Sequence, residues 1–424
     1  MSDHDLIIHG TSATGAALSL AVSEGKISAI GAEVGGSAGS EIDYGKSMIL
    51  PGWIDAHVHF NEPGRTDWEG LHSGSLALAA GGGTAFFDMP LNSSPPVTNL
   101  ERFLEKRRIA EEKSHLDFAL WGGLTPDSLD FMEEMAEGGA IGFKAFMCHS
   151  GLDEYQAATE SPLRKGMEIA QKLGLPVAVH AEISHPVNVS GKDMAAWIAS
   201  RPREFELTAI RLALGLAEET GCALHIVHVT CHEGIDLISV AKGRGVDVTV
   251  ETCPHYLLLS DRDACEIGAP AKCAPPLRPG ATIEEMWERL RSGAIDTIGS
   301  DHSPASPDLK TGDDMFAIWG GIAGIQHGLP LVLEKEADLA AQTRGNIVKR
   351  FKLEGKAPLS IGSNADFIVV KRQEHLISAD ELLTRHRISP YVGKSSALQI
   401  EATYLRGEKV TSATKGRFMR PEIF

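Results

Sequence analysis

The stretch Asp55-Ala56-His57-Val58-His59 places two imidazoles two residues apart, at the end of a short apolar run released by Pro51-Gly52. Alternate residues of a strand share a face, so both rings can close on one metal ion. A helix would need a three- or four-residue spacing to do the same. Other runs have the same form, an apolar segment ending on a polar group that can bind metal: Val177 to His180, Leu224 to His228 and Thr297 to Asp301. His225 lies three residues before His228 and points to the opposite face by strand period, which leaves His228 as the candidate. Lys144, in Gly142-Phe143-Lys144-Ala145-Phe146, also sits near a strand end. An ammonium ion repels a metal, so on its own this residue reads as a snorkelling lysine. His72, His115 and His185 fall in helix-like or loop contexts that suit solvated side chains, and His255 either touches substrate or caps its loop.

Elements must bring these groups together. Eight strand candidates run through Trp53 to His57, Thr84 to Asp88, Phe118 to Gly122, Ile141 to Phe146, Val177 to His180, Leu224 to His228, Asp247 to Glu251 and Thr297 to Asp301. Helix-period stretches separate them, among them 100–113, 162–173, 204–220, 234–243 and 283–291. Eight successive βα units predict a closed parallel barrel, which gathers the ends of its strands on one face; an open doubly wound sheet is the alternative. Residues 5–31 read as an antiparallel β unit, the Gly/Ser-rich segment 33–40 as a loop, and strand character returns at 365–370 and 402–407. The expectation is an α/β fold, a TIM-like (β/α)8 barrel over 50–358 with a small discontinuous β-sandwich domain built from 1–49 and 359–424. Gly81, Gly82 and Gly83 precede a strand and no Gly-Lys-Ser/Thr follows, so they predict a helix C-cap and turn rather than a phosphate cradle.

Composition narrows the partners. The chain has 424 residues, 43% of them hydrophobic, with 40 basic against 57 acidic side chains and a formal charge of -17. That sign repels phosphate backbones and anionic lipid, so neither nucleic acid nor membrane is an expected partner. No run approaches the roughly 20 apolar residues that span a bilayer, and the N-terminus has no basic start, which predicts a cytoplasmic protein. The six cysteines show no C-x-x-C spacing and read as reduced thiols.

Taken together, Asp55-Ala56-His57-Val58-His59, the Lys144 segment, Val179-His180-Ala181-Glu182, Ile226-Val227-His228-Val229-Thr230 and Gly299-Ser300-Asp301-His302-Ser303-Pro304 resemble the amidohydrolase superfamily in its cyclic-amidohydrolase branch. The likeness covers nearly the whole chain. It implies a hydrolase of cyclic amides with two divalent metal ions, zinc first, with manganese, cobalt or iron as alternatives. It also implies that Lys144 is N6-carboxylated, an anionic carbamate that bridges the ions. One ion would then be held by His57, His59, Asp301 and carboxylated Lys144, the other by the same carbamate with His180 and His228. Asp301 would carry protons during catalysis.

Loops distinguish the members of the branch. Glu62-Pro63-Gly64-Arg65 leading into Trp68-Glu69-Gly70, with Asp88-Met89-Pro90-Leu91-Asn92, the run Lys272 to Arg278 and Trp319-Gly320-Gly321-Ile322, is similar to the allantoinase family. Dihydroorotases of the branch have an arginine two residues after the second histidine, where this chain has Asn61. Dihydropyrimidinases and D-hydantoinases have a tyrosine five residues after the lysine, where it has His149. The resemblance therefore implies a small cyclic ureide as substrate, allantoin opened to allantoate in purine breakdown, ahead of other 5-substituted hydantoins. Asn61, Asn92 and Ser303 are the candidate substrate contacts, as donors and acceptors matched to an uncharged polar ring. All six ligand positions are filled, which argues against an inactive scaffold homologue. The same resemblance implies a homo-oligomer, a tetramer.

Overall fold

The computed structural model describes residues 2–422. Its parallel strands are β5 (Trp53–Val58), β6 (Gly83–Asp88), β7 (Asp117–Leu120), the two-residue β8 (Gly122–Gly123), β9 (Phe143–Phe146), β10 (Val177–His180), β11 (Leu224–Ile226), β12 (Val248–Thr252) and β13 (Thr297–Ile298). They follow β1 (His4–Thr11), β2 (Ala17–Ser23), β3 (Lys26–Gly31) and β4 (Ala38–Pro51). Neighbours from β5 to β7 and from β8 to β13 pair in parallel and in sequence order. Trp121 separates β7 from β8, so one chain segment pairs with β6 on one side and β9 on the other. Closure comes from a parallel bridge between Val58 and His302 and from the His59 amide donating to the His302 carbonyl at 2.8 Å. The result is the (β/α)8 barrel, with helices such as Leu100–Lys113, Glu160–Leu173 and Arg203–Thr220 outside. Leu71–Ala80 is a helix ended by Gly81, and Gly82 turns at φ +93° in the left-handed region, as the glycine run predicts.

Two strands stop short of their expected ends. The ladder leaves β11 at Ile226 and β13 at Ile298, and beyond each the chain passes through a left-handed residue, His228 at φ 43° and Asp301 at φ 45°. Such backbone breaks strand geometry and costs on the order of 1–3 kcal/mol at a non-glycine residue, so the surrounding structure must hold it in place.

β1 to β4 join β14 (Phe367–Leu376), β15 (Ser395–Leu405) and β16 (Glu408–Lys409) in a seven-stranded sheet ordered β16-β15-β14-β4-β1-β2-β3. Ile8, Leu20, Val22, Ile49, Phe367, Val369 and Tyr404 pool into one apolar cluster of this flanking β-sandwich unit. β4 begins at Ala38, inside the segment whose glycine and serine content suggested a loop; it is held there by parallel pairing with β1, a partner that composition does not reveal. We propose dividing the chain into a barrel unit, 50–358, and a β unit, 1–49 with 359–424. Residues 416–419 cross back onto the barrel, where the Phe118 amide donates to Arg417 and Met419 donates to Phe118.

The two ends of the barrel differ in kind. At the strand starts, Arg344 donates to the Gly52 carbonyl at 2.8 Å and Arg350 to the Leu224 carbonyl, while Ile347 and Phe351 pack with Ile54, Phe87 and Trp121 in the barrel interior. This stoppers the lower mouth and leaves the upper one for chemistry. Among the described residues no helix is long and apolar enough to cross a membrane.

Candidate metal centre

At the upper mouth lies a cavity of about 400 Å³ whose lining includes His57, His59, Lys144, His180, His228 and Asp301, all six expected ligands, from five strand ends. β5 carries His57 and releases His59 one residue beyond its end; β9 carries Lys144; β10 ends on His180.

Hydrogen bonds fix the tautomers. Glu251 is fully buried and held at about 2, because the charges and hydrogen bonds of His57 and His225 outweigh the burial that would raise it. An ionised carboxylate only accepts, so His57 donates through Nδ1 to Glu251 Oε1 at 2.8 Å. His59 likewise donates through Nδ1 to the Leu91 carbonyl at 2.7 Å. Each ring therefore presents a bare Nε2. Both of these nitrogens lie 3.3 Å from Asp301 Oδ1. Three lone pairs converging without a proton among them repel one another, and a cation at their centre turns the same arrangement into a favourable one. The ligand atoms of His57, His59 and Asp301 all lie within 4.8 Å of one another.

The second group is built on the same principle. His180 Nε2 faces Glu182 Oε2 at 3.2 Å, which turns His180 Nδ1 toward His228 Nε2 at 3.0 Å. Burial pushes the pKa values of His57 and His180 down and that of His228 well down, favouring the neutral imidazoles that ligation requires. Burial would raise the Asp301 carboxyl, but His57, His59 and His228 hold it well below the usual carboxylate range. Lys144 is fully buried, and its Nζ has no hydrogen-bond partner. Burial brings its pKa down to about 8 against the pull of the Asp301 and Glu251 carboxylates. An orphaned buried amine between carboxylates and imidazoles is costly as it stands. The donor set thus fits two divalent cations, with Lys144 close enough for its charge to act on His57, His180 and His228 alike.

The candidate substrate contacts separate. Asn92 and Ser303 line the cavity, and Asn92 donates to Ser303 Oγ at 3.4 Å and to Asn61 Oδ1 at 3.3 Å. Asn61 is fully buried behind them, outside the lining, and donates to the Pro304 carbonyl at 3.1 Å. His149 is exposed at the rim, and His255 is buried outside the lining. His225 lies outside the lining, but it does not take the opposite face expected from strand period. It too faces the barrel interior, with Nδ1 2.9 Å from Thr249 Oγ1, Nε2 3.6 Å from Glu251 Oε2 and its ring 5.8 Å from that of Phe351, because the left-handed turn at His228 breaks the strand alternation between the two histidines. His115 corrects the solvated reading: it is 3% exposed, with Nε2 2.8 Å from His72 Nδ1 and Nδ1 donating to the Thr414 carbonyl. Glu251 is the functional residue that sequence reasoning missed. Its only signal is its place near the end of a strand; it meets His57 from 194 residues further along the chain.

The chain resembles known proteins over most of its length. Residues 48–410 match the Amidohydrolase family. An allantoinase of Rubrobacter xylanophilus is 46% identical, over 100% of this chain and 99% of its own. One of Deinococcus radiodurans is 46% identical over 95% and 94%. Among solved structures, an L-hydantoinase (dihydropyrimidinase) from Arthrobacter aurescens superposes with a TM-score of 0.92 at 31% identity, over 98% of this chain and 100% of that one. A D-hydantoinase from Thermus sp., at 22% identity and TM-score 0.86, shares the fold. The chain belongs to the amidohydrolase family, in company with the allantoinases it matches from end to end.

Proposed function

We propose that this chain hydrolyses the ring amide of allantoin to give allantoate. The observation that carries the reaction class is the convergence of His57 Nε2, His59 Nε2 and Asp301 Oδ1 beside the unpartnered Lys144 amine. Full-length similarity to allantoinases supports the choice of ring. His57, His59 and Asp301 would hold one divalent ion, His180 and His228 the other, and carboxylated Lys144 would bridge them. Carboxylation removes the positive charge and replaces an orphaned donor with two acceptor oxygens; it requires the neutral amine, which a pKa near 8 makes accessible. Zinc is the ion we favour, since imidazole and carboxylate ligands suit it. When bound, the two ions would lower the pKa of water to give a nucleophile at neutral pH and would polarise the ring carbonyl.

The chain supplies the rest. Asp301, kept ionised by the histidines around it, accepts the proton of the attacking water and delivers it to the leaving ring nitrogen. One C–O bond forms, the ring C–N bond breaks, and the product is an open-chain acid. Asn92 and Ser303 offer an amide and a hydroxyl to the polar edge of the ring, while Asn61 holds Asn92 from behind. A cavity of about 400 Å³ suits a ligand of this size. With this activity we propose a cytoplasmic homotetramer, which light scattering on the eluting protein checks.

A second reading, hydrolysis of other 5-substituted hydantoins, draws on the 0.92 TM-score to the Arthrobacter enzyme. The test for both is kcat/KM of metal-replete protein on allantoin, a 5-substituted hydantoin, dihydrouracil and dihydroorotate. Preference for allantoin is expected. Preference for another ring overturns the substrate, and inactivity on all four with two metals bound overturns the reaction.

A further inference from the structure

The candidate ligand histidines are not backed alike. His57 donates to Glu251, a buried carboxylate that among the described residues has only His57 and His225 within ion-pair distance, and His59 donates to a neutral carbonyl. His180 donates to Glu182, and that carboxylate is shared. Arg201 grips it through Nε to Oε1 at 3.0 Å and through a second donor to Oε2, the oxygen that also receives the His180 N–H. Glu182 is 1% exposed, so its charge is balanced by Arg201 and not by water, while the neutral His180 only donates to it. Arg201 reaches the cavity wall and lies with its guanidinium carbon 4.9 Å from the centre of the Trp197 ring.

A carboxylate behind a ligating imidazole fixes the ring and raises its basicity. A guanidinium competing for the same oxygen takes part of that effect away. We propose that Glu182 and Arg201 form a positioning pair which turns His180 Nδ1 toward His228 and sets how tightly the ion of that pair is held. Glu182 supplies orientation and charge; Arg201 limits the charge. The His180/His228 ion is consequently the weaker bound of the two and the stronger electron acceptor. Neither residue touches the reacting atoms in this role. The inference rests on the ligand reading proposed above.

The opposite signs expected of the two residues make the test. Metal-free full-length protein is titrated with zinc against a competing chelator, and again with cobalt followed by its visible spectrum. Wild type takes two ions per chain, one step at least tenfold weaker than the other. Glu182→Gln weakens the weaker step by roughly 10- to 100-fold and leaves the tighter one within threefold. Arg201→Met tightens the weaker step several-fold, with Arg201→Lys between it and wild type.

Equal weakening by Glu182→Gln and Arg201→Met would mean the pair is scaffolding and would overturn the proposal, as would Glu182→Gln with both steps unchanged. Should Glu182→Gln not fold, the graded Arg201 series decides alone, and no tightening from Arg through Lys to Met overturns it. Wild type that fails to take two ions refutes the ligand reading itself, a result separable from any outcome in the variants.

Discussion

Glu251 Oε1 lies 2.8 Å from His57 Nδ1, and the carboxylate packs closely against the bare backbone of Gly299. A Cβ on Gly299 would stand 2.4 Å from Glu251 Oε2 and 2.6 Å from its carboxyl carbon. Both groups are fully buried, so the side chain has no solvent to retreat into. Gly299→Ala is expected to push Glu251 off His57, lowering stability by about 1–3 kcal/mol through overpacking and metal affinity by roughly 10- to 100-fold. Metal content after dialysis against a chelator, with a melting curve, measures both. Unchanged metal content would show that His57 does not need the carboxylate.

Lys144→Ala removes the group assigned to bridge the two ions. Losing a bridging ligand should cost more than the roughly 10- to 100-fold typical of a residue behind a ligand, so activity falls by more than about 100-fold and one ion is lost per chain. Reconstitution of metal-free wild type should also depend on bicarbonate, with poor metal uptake in buffer stripped of carbon dioxide. Full activity and two ions in Lys144→Ala refute the bridge.

How much of this was legible in the sequence depends on whether a residue's role is carried by its own strand. His57, His59, His180 and Asp301 each close a strand-like run, so type and position were enough to predict that they meet at one mouth of the barrel. Glu251 and Glu182 act only through contact with a histidine, and no spacing announces a contact. His115 read as solvated because its partner Thr414 arrives from 299 residues further along the chain. The ends of β11 and β13 were set too late because a sequence pattern does not reveal the left-handed turns at His228 and Asp301. β4 likewise owes its extra length to β1 and not to its own glycines and serines. The barrel was legible since periodicity is local, whereas the backing of the site is assembled across strands.

Asp301→Asn keeps an oxygen for the metal and loses the base. Its Oδ1 sits 3.3 Å from both His57 and His59, so the isosteric amide can stay in place, and wild-type positions of the two histidines are expected. Turnover should drop by about 10²–10⁴-fold, the usual range for a general acid-base group, with metal content substantially kept. Undiminished kcat in this variant would remove Asp301 from proton transfer.

The stopper end of the barrel carries a pH prediction separate from the site. Asp366 Oδ2 is 2.6 Å from Lys356 Nζ and 3.1 Å from Arg344, and the same Lys356 amine is 2.6 Å from Asp117. Burial would raise the Asp366 carboxyl, but Lys356 and Arg344 outweigh it and hold its pKa at about 2. A folded pKa below the unfolded value of about 3.9 adds stability that is complete above that value and is lost as pH falls toward 2. Asp366→Asn takes from Arg344 its one bonded carboxylate and leaves Lys356 with Asp117, which Arg406 already grips, and should cost roughly 3–5 kcal/mol at pH 7. The gap in melting temperature between wild type and variant should then narrow as pH drops from about 4 toward 2, because the wild-type carboxyl protonates and comes to resemble the amide. A gap that stays constant from neutral pH down to 2 would show that the Asp366 charge contributes nothing to holding the β unit on the barrel.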